Sequence, residues 1–136
     1  MRLSPHLTFK GDCAAAFEQY QQTLGAKILA MLTYGESPMA NTVAPERRGH
    51  VVHATLAIGE QHLLGADVPP DEYLPPRGFF LLLGTSDVAE AERWFHALAE
   101  GGSVMMPLQE TFWSPRFGVV VDRFGVPWEI SCDATR

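Results

Sequence analysis

Two stretches of this 136-residue chain run through the same order of elements, and that repetition restricts the fold more than any other feature. In the first, residues 5–9 alternate apolar and polar side chains and lead into Lys10-Gly11-Asp12, where Asp12 is placed to cap a helix. Cys13, Phe17, Tyr20 and Leu24 then recur at helical spacing on one face. Glu18, Gln21 and Gln22 take the other, and Gly25 stands where a helix closes. Residues 27–34 suit a strand, and residues 35–49, with Ser37-Pro38 and Ala44-Pro45, read as a long mobile loop. Strands over 51–58 and 62–66 follow, joined by the turn Gly59-Glu60-Gln61. Residues 68–77 hold four prolines and predict an extended, exposed connection.

The pattern then returns. Residues 79–83 are a continuous apolar run, suited to a strand covered on both faces. Asp87 with Glu90 three residues later predicts a capping box, and Val88, Ala91, Phe95 and Leu98 form a helical stripe ending at Gly101-Gly102. Three strands follow, over 104–109, 117–121 and 127–132, separated by Ser114-Pro115 and by the turn Arg123-Phe124-Gly125. The order β-α-β-β-β thus occurs twice. One such unit has a half-covered sheet, so the expectation is an α+β fold in which two βαβββ modules pair into a curled mixed sheet with a central cavity and helices outside. The length suits a single domain over residues 1–136, with a first module of about 1–72 and a second of about 73–136.

Charge narrows the partners. The chain has 16 acidic against 10 basic residues and a formal charge of −6, which argues against nucleic acid or an anionic membrane. Cys13 and Cys132 each sit in apolar sequence, far from any CxxC pair, and read as reduced core thiols. Residues 1–6 lack a signal-peptide apolar region and no apolar run approaches a membrane span, so a cytoplasmic protein is expected. There is no nucleophile elbow and no phosphate-cradling loop, because Gly101-Gly102 ends a helix rather than starting one. A methyl donor of the S-adenosyl type calls for a Gly-rich βα turn in a parallel sheet, which the sequence lacks. No nucleotide cofactor and no methyltransferase activity are therefore expected.

Strand alternation assigns faces. Leu7 and Phe9 belong to the helix side, leaving His6 and Thr8 for the cavity; Leu56 and Ile58 leave His53 and Thr55. In the last strand Trp128 and Ile130 are core, which leaves Glu129 and Ser131 facing inward. Imidazole and carboxylate ligands suit zinc, nickel, manganese or iron, so His6, His53 and Glu129 are candidate ligands of one divalent ion. Equally, polar side chains in a cavity need only hydrogen-bond partners. Phe112, Trp113 and Arg116 are candidates to hold a planar or anionic ligand at the cavity mouth, with packing across a dimer or a loop as the other reading of Trp113. Glu110 is a candidate general base or a solvated acid.

Several segments together resemble one family. They are Ser4-Pro5-His6-Leu7-Thr8-Phe9, Gly11-Asp12-Cys13, Leu24-Gly25-Ala26, Val52-His53-Ala54, Arg93-Trp94-Phe95, Gln109-Glu110-Thr111-Phe112-Trp113 and Asp122-Arg123-Phe124-Gly125-Val126-Pro127-Trp128. The chain resembles the PhnB-like proteins of the vicinal-oxygen-chelate superfamily, whose wider relatives are glyoxalases, bleomycin-resistance proteins and extradiol dioxygenases. The resemblance implies metal ligands from the first and last strands of each half, usually two histidines and two glutamates. Glu129 matches the last of these and His6 lies on the first strand. Phe79 or Phe80 stands where a second histidine belongs, and Leu64 near the other acid. Two functions follow as expectations: a metal-free protein binding a small molecule in its cavity, and a divalent-metal isomerase, lyase or dioxygenase with Glu129 and Glu110 as catalytic acids. The resemblance also implies a homodimer, for which Trp94 and Trp113 are the exposed-looking aromatics.

Overall fold

The computed structural model describes residues 1–133. They fall into two compact units, Met1–Leu74 and a second beginning at Pro75. In the first, β1 (His6–Phe9), α1 (Cys13–Leu24), β2 (Lys27–Thr33), β3 (Val51–Ile58) and β4 (Gln61–Asp67) form a four-stranded sheet in the order β1-β4-β3-β2 with one helix. In the second, β5 (Leu81–Thr85), α2 (Val88–Ala99), β6 (Ser103–Gln109), β7 (Arg116–Val121) and β8 (Pro127–Cys132) repeat it in the order β5-β8-β7-β6. Each unit is a βαβββ module of the α+β class. The first strand pairs in parallel with the last, β1 with β4 and β5 with β8, and the remaining neighbours are antiparallel.

Each helix covers one face of its own sheet by the stripe read from the sequence. Cys13, Phe17 and Tyr20 of α1 are buried, as are Ala91, Phe95 and Leu98 of α2. Both helices come so close that the strand beneath carries a glycine. A Cβ on Gly65 would lie 2.7 Å from the Phe17 ring, and one on Gly118 would lie 2.7 Å from the Phe95 ring. Among the described residues no helix of a unit lies on the opposite face of its own sheet.

Four local expectations are corrected. Asp12 supplies its carbonyl to Ala16 N, but its side chain makes no cap bond; the buried Asp67 takes that role, with Oδ1 accepting from Gly11 N at 2.9 Å and Cys13 N at 3.0 Å. Asp87 does cap α2, accepting from Ala89 N, yet no capping box forms there. Glu90 instead accepts from Thr85 Oγ1 at 2.6 Å, and that hydroxyl oxygen accepts from Asp87 N. The apolar run begins its strand only at Leu81, and Leu82 is 61 % exposed, so the strand is not covered on both faces. Trp94, read as exposed, is buried in α2.

The segment over residues 35–49 is tied down at both ends rather than left loose. Tyr34 N donates to His50 O and Gly35 N to Arg48 O, prolonging the β2–β3 pairing beyond its strands. Two short 3-10 turns, Tyr34–Glu36 and Pro45–Arg47, follow. Tyr34 Oη and Arg47 Nη2 both donate to Asp67 O, with the Arg47 guanidinium 4.8 Å from the centre of the Tyr34 ring.

Candidate functional site

Register decides which side chains share the helix-free faces. On the first sheet Leu7, Phe9 and Leu56 are buried on the α1 side, so His6, Thr8, His53 and Thr55 project from the other. His6 pairs with Leu64 and Leu64 with Thr55, which sets those three in one row; Thr8 pairs with Ala66, and His53 with Leu32. The two histidines stand on strands separated by β4 and two residues apart in register, about 12 Å from each other at the backbone. Both are exposed, and His53 Nε2 lies 3.4 Å from Thr55 Oγ1.

On the second sheet Trp128 and Ile130 are buried against α2, and Glu129 and Ser131 project from the opposite face, each half-buried. Glu129 stands in a row between Leu82 of β5 and Val119 of β7. Ser131 is paired with Phe117, and the Trp113 ring packs edge-on over Phe117 with centroids 5.3 Å apart. Phe112 meets Trp113 at 4.6 Å and is 98 % exposed, while Trp113 is 52 % exposed. The loop that presents them is built on Ser114. Thr111 N donates to Ser114 O, Ser114 N donates to Thr111 Oγ1, and the buried Ser114 hydroxyl lies 2.6 Å from Cys132 O and 2.7 Å from Arg116 O. The result is a carboxylate and a hydroxyl set in an apolar, aromatic surface, an arrangement able to orient a small ligand through a few polar contacts.

Arg116 does not join that surface. It pairs with Cys132, on the helix side of the sheet, where Nε lies 3.6 Å from Glu92 Oε1 and Nη1 donates to Pro115 O. Glu110 follows β6 and is exposed. Among the described residues no group of three or more His, Cys, Asp and Glu side chains is placed to hold a metal ion. The strand pairs of each module show why. Leu64 stands opposite His6, and Leu82, rather than Phe79 or Phe80, stands opposite Glu129. Each pair therefore offers one donor and one leucine, which does not fit a site of two histidines and two glutamates.

The buried acids were the residues that sequence reading missed. Asp122 Oδ1 accepts from Phe124 N at 2.9 Å and Val126 N at 3.0 Å, and Oδ2 accepts from the Trp128 indole at 2.9 Å. This ties the turn before β8 to the strand that carries Glu129. Asp67 adds Val51 N, at 2.8 Å, to its two bonds at the start of α1. Burial, and next the Asp67 carboxylate, push the Cys13 thiol up to about 12, which keeps it protonated and unreactive. Both cysteines are free and buried.

Residues 3–130 match the family model of the Glyoxalase/Bleomycin resistance protein/Dioxygenase superfamily. Protein YjdN of Escherichia coli (strain K12) is 38 % identical to this chain over 96 % of it and 95 % of its own length. Among solved structures, protein PA1353 from Pseudomonas aeruginosa superposes with a TM-score of 0.90 at 41 % identity, covering 99 % of both chains. The PhnB protein from Bacillus cereus, which provisionally carries the name 3-demethylubiquinone-9 3-methyltransferase, superposes with a TM-score of 0.82 at 26 % identity. There the match covers 97 % of this chain and 99 % of that one.

Proposed function

Because the chain belongs to the glyoxalase/bleomycin resistance protein/dioxygenase superfamily, we propose that it is a PhnB-like protein that binds a small molecule without a complete glyoxalase metal site. The observation that carries this reading is the register: His6 faces Leu64 and Glu129 faces Leu82, so each module retains a single donor where a pair is needed. On the helix-free face of the second unit Trp113 and Phe112 supply aromatic contact and Glu129 accepts a hydrogen bond from the ligand; on that of the first unit Thr8 and Thr55 are the hydroxyls open to one. Arg116, engaged by Glu92, takes no part in contacting it. Glu110, exposed beside the aromatic loop, serves at most the rim.

A metal-dependent isomerase, lyase or dioxygenase is the competing reading, supported by the projection of His6 and His53 from one face of one sheet. In it a divalent ion held by these histidines with Glu129 would polarise adjacent oxygens of a substrate. The protein acts in the cytoplasm as a homodimer, both modules of each chain forming one functional domain.

Native mass spectrometry of the protein purified without an affinity tag tests the binding role. A co-purifying organic adduct of a few hundred daltons, released on unfolding and lost in Trp113→Ala and Glu129→Gln, is the expected result. An adduct that both folded variants retain, or none in the wild type after incubation with cell metabolites, would overturn it.

A further inference from the structure

The second unit contains a cavity of about 550 Å3 that includes neither Glu129, Ser131 nor Trp113 in its lining. The cavity is open to solvent on one side; Pro75-Pro76, Phe79-Phe80, Val121 and Pro127 are among the residues that line it, and Arg77 is its one charged side chain. We propose that this cavity is a second binding site, selective for small amphipathic carboxylates, with the apolar body against Phe79 and Phe80 and the carboxylate on the Arg77 guanidinium.

Three observations support the assignment. The volume lies within the range of sites that enclose a small organic ligand, and an apolar lining with one polar anchor is the common composition of such sites. The surroundings are also preorganised, which limits the ordering cost of binding. Pro75 and Pro76 restrict their backbone, Gly78 makes its turn at φ 80°, and a bulge in β6 places Met105 outside the ladder, at the cavity. On the far side, Gly125 belongs to the turn that Asp122 holds through Phe124 N and Val126 N.

Charge then selects the ligand. Arg93 pairs with Glu90 and Arg116 with Glu92, whereas no carboxylate of the described residues pairs with Arg77. A guanidinium in an apolar setting takes a carboxylate through two parallel hydrogen bonds. The lining has no Asp or Glu, so a cationic ligand of the same shape finds no counter-charge. In a chain with a formal charge of −6, this local cation offers an anion a counter-charge within the cavity lining.

Calorimetric titration with 4-phenylbutyrate, 4-phenylbutanol and 4-phenylbutylamine separates the contributions. The acid should bind at least tenfold more tightly than the alcohol, the amine should give no binding, and amide shifts should fall on residues 77–80 and 121–126. Arg77 is exposed, so Arg77→Gln should fold normally and bring the acid down to the affinity of the alcohol, whereas Arg77→Lys should keep part of the difference. Equal affinity for acid and alcohol, an unchanged acid affinity in Arg77→Gln, or no amide shifts with millimolar acid would each overturn the proposal.

Discussion

Asp122 shows how a single side chain sets the position of the Glu129 strand. Its two oxygens accept three N–H groups from the turn and from Trp128, all in the interior. Asp122→Asn can keep one oxygen for the backbone amides but turns an NH2 group toward the indole, leaving buried donors unmet. Urea denaturation should show a loss of about 2 kcal/mol, in line with the cost of an unsatisfied buried donor. The role had a local signal, an aspartate opening a turn that closes on Gly125, with the indole partner only six residues away. Asp67 had none, because its partners Gly11 and Cys13 lie 56 and 54 residues earlier, and no spacing rule spans that distance. Cys13 gives a second test. The unfolded chain releases this proton near 9.0 and the folded chain holds it to about 12, so the stabilisation is complete below 9 and disappears as pH climbs through that window. Stability should fall there by about 1.4 kcal/mol per pH unit from this group alone, and the slope should be shallower by that amount in Cys13→Ala.

At the level of elements, periodicity located both helices and nearly every strand, since burial of one face imposes a repeat that survives any change of detail. The ends were less legible. An aspartate before an amphipathic stripe signals a cap, yet at α1 the function passes to Asp67 on a distant strand, and at α2 Thr85 diverts Glu90 from the box. The variants should rank accordingly. Asp87→Ala should cost about 1 kcal/mol, Asp12→Ala close to nothing, and Asp67→Ala the most, because it strips three backbone amides of their acceptor. Chemical denaturation of the three proteins checks the order, and equal losses for Asp12 and Asp67 would contradict it. Strand β5 teaches the same lesson from the other side. The run over residues 79–83 looks fully covered because every side chain is apolar, but composition cannot distinguish a strand buried on both faces from one that starts only at Leu81, with Phe79 and Phe80 before it lining a cavity and Leu82 left exposed.

For the whole molecule, alternation alone told which face His6, His53 and Glu129 occupy, but the decisive neighbours came from pairing across strands, which one strand's sequence does not encode. Leu64 and Leu82 stand opposite the two donors, and the proposal of an incomplete metal site rests on those pairs. Apolar exposure on the helix-free faces, with Leu82 and Leu32 among the uncovered side chains, also favours a partner. Light scattering should report a particle of twice 15.0 kDa, and a 15.0 kDa particle unchanged by dilution would exclude the dimer. The central claim, ligand binding without a complete metal site, is tested most directly by metal stoichiometry. Tag-free protein equilibrated in turn with Mn, Ni, Zn and Fe(II), then freed of unbound ion, should retain far less than one ion per chain, with no difference between wild type, His6→Ala and Glu129→Gln. One tightly held ion per chain in the wild type, lost in both folded variants, would contradict the account.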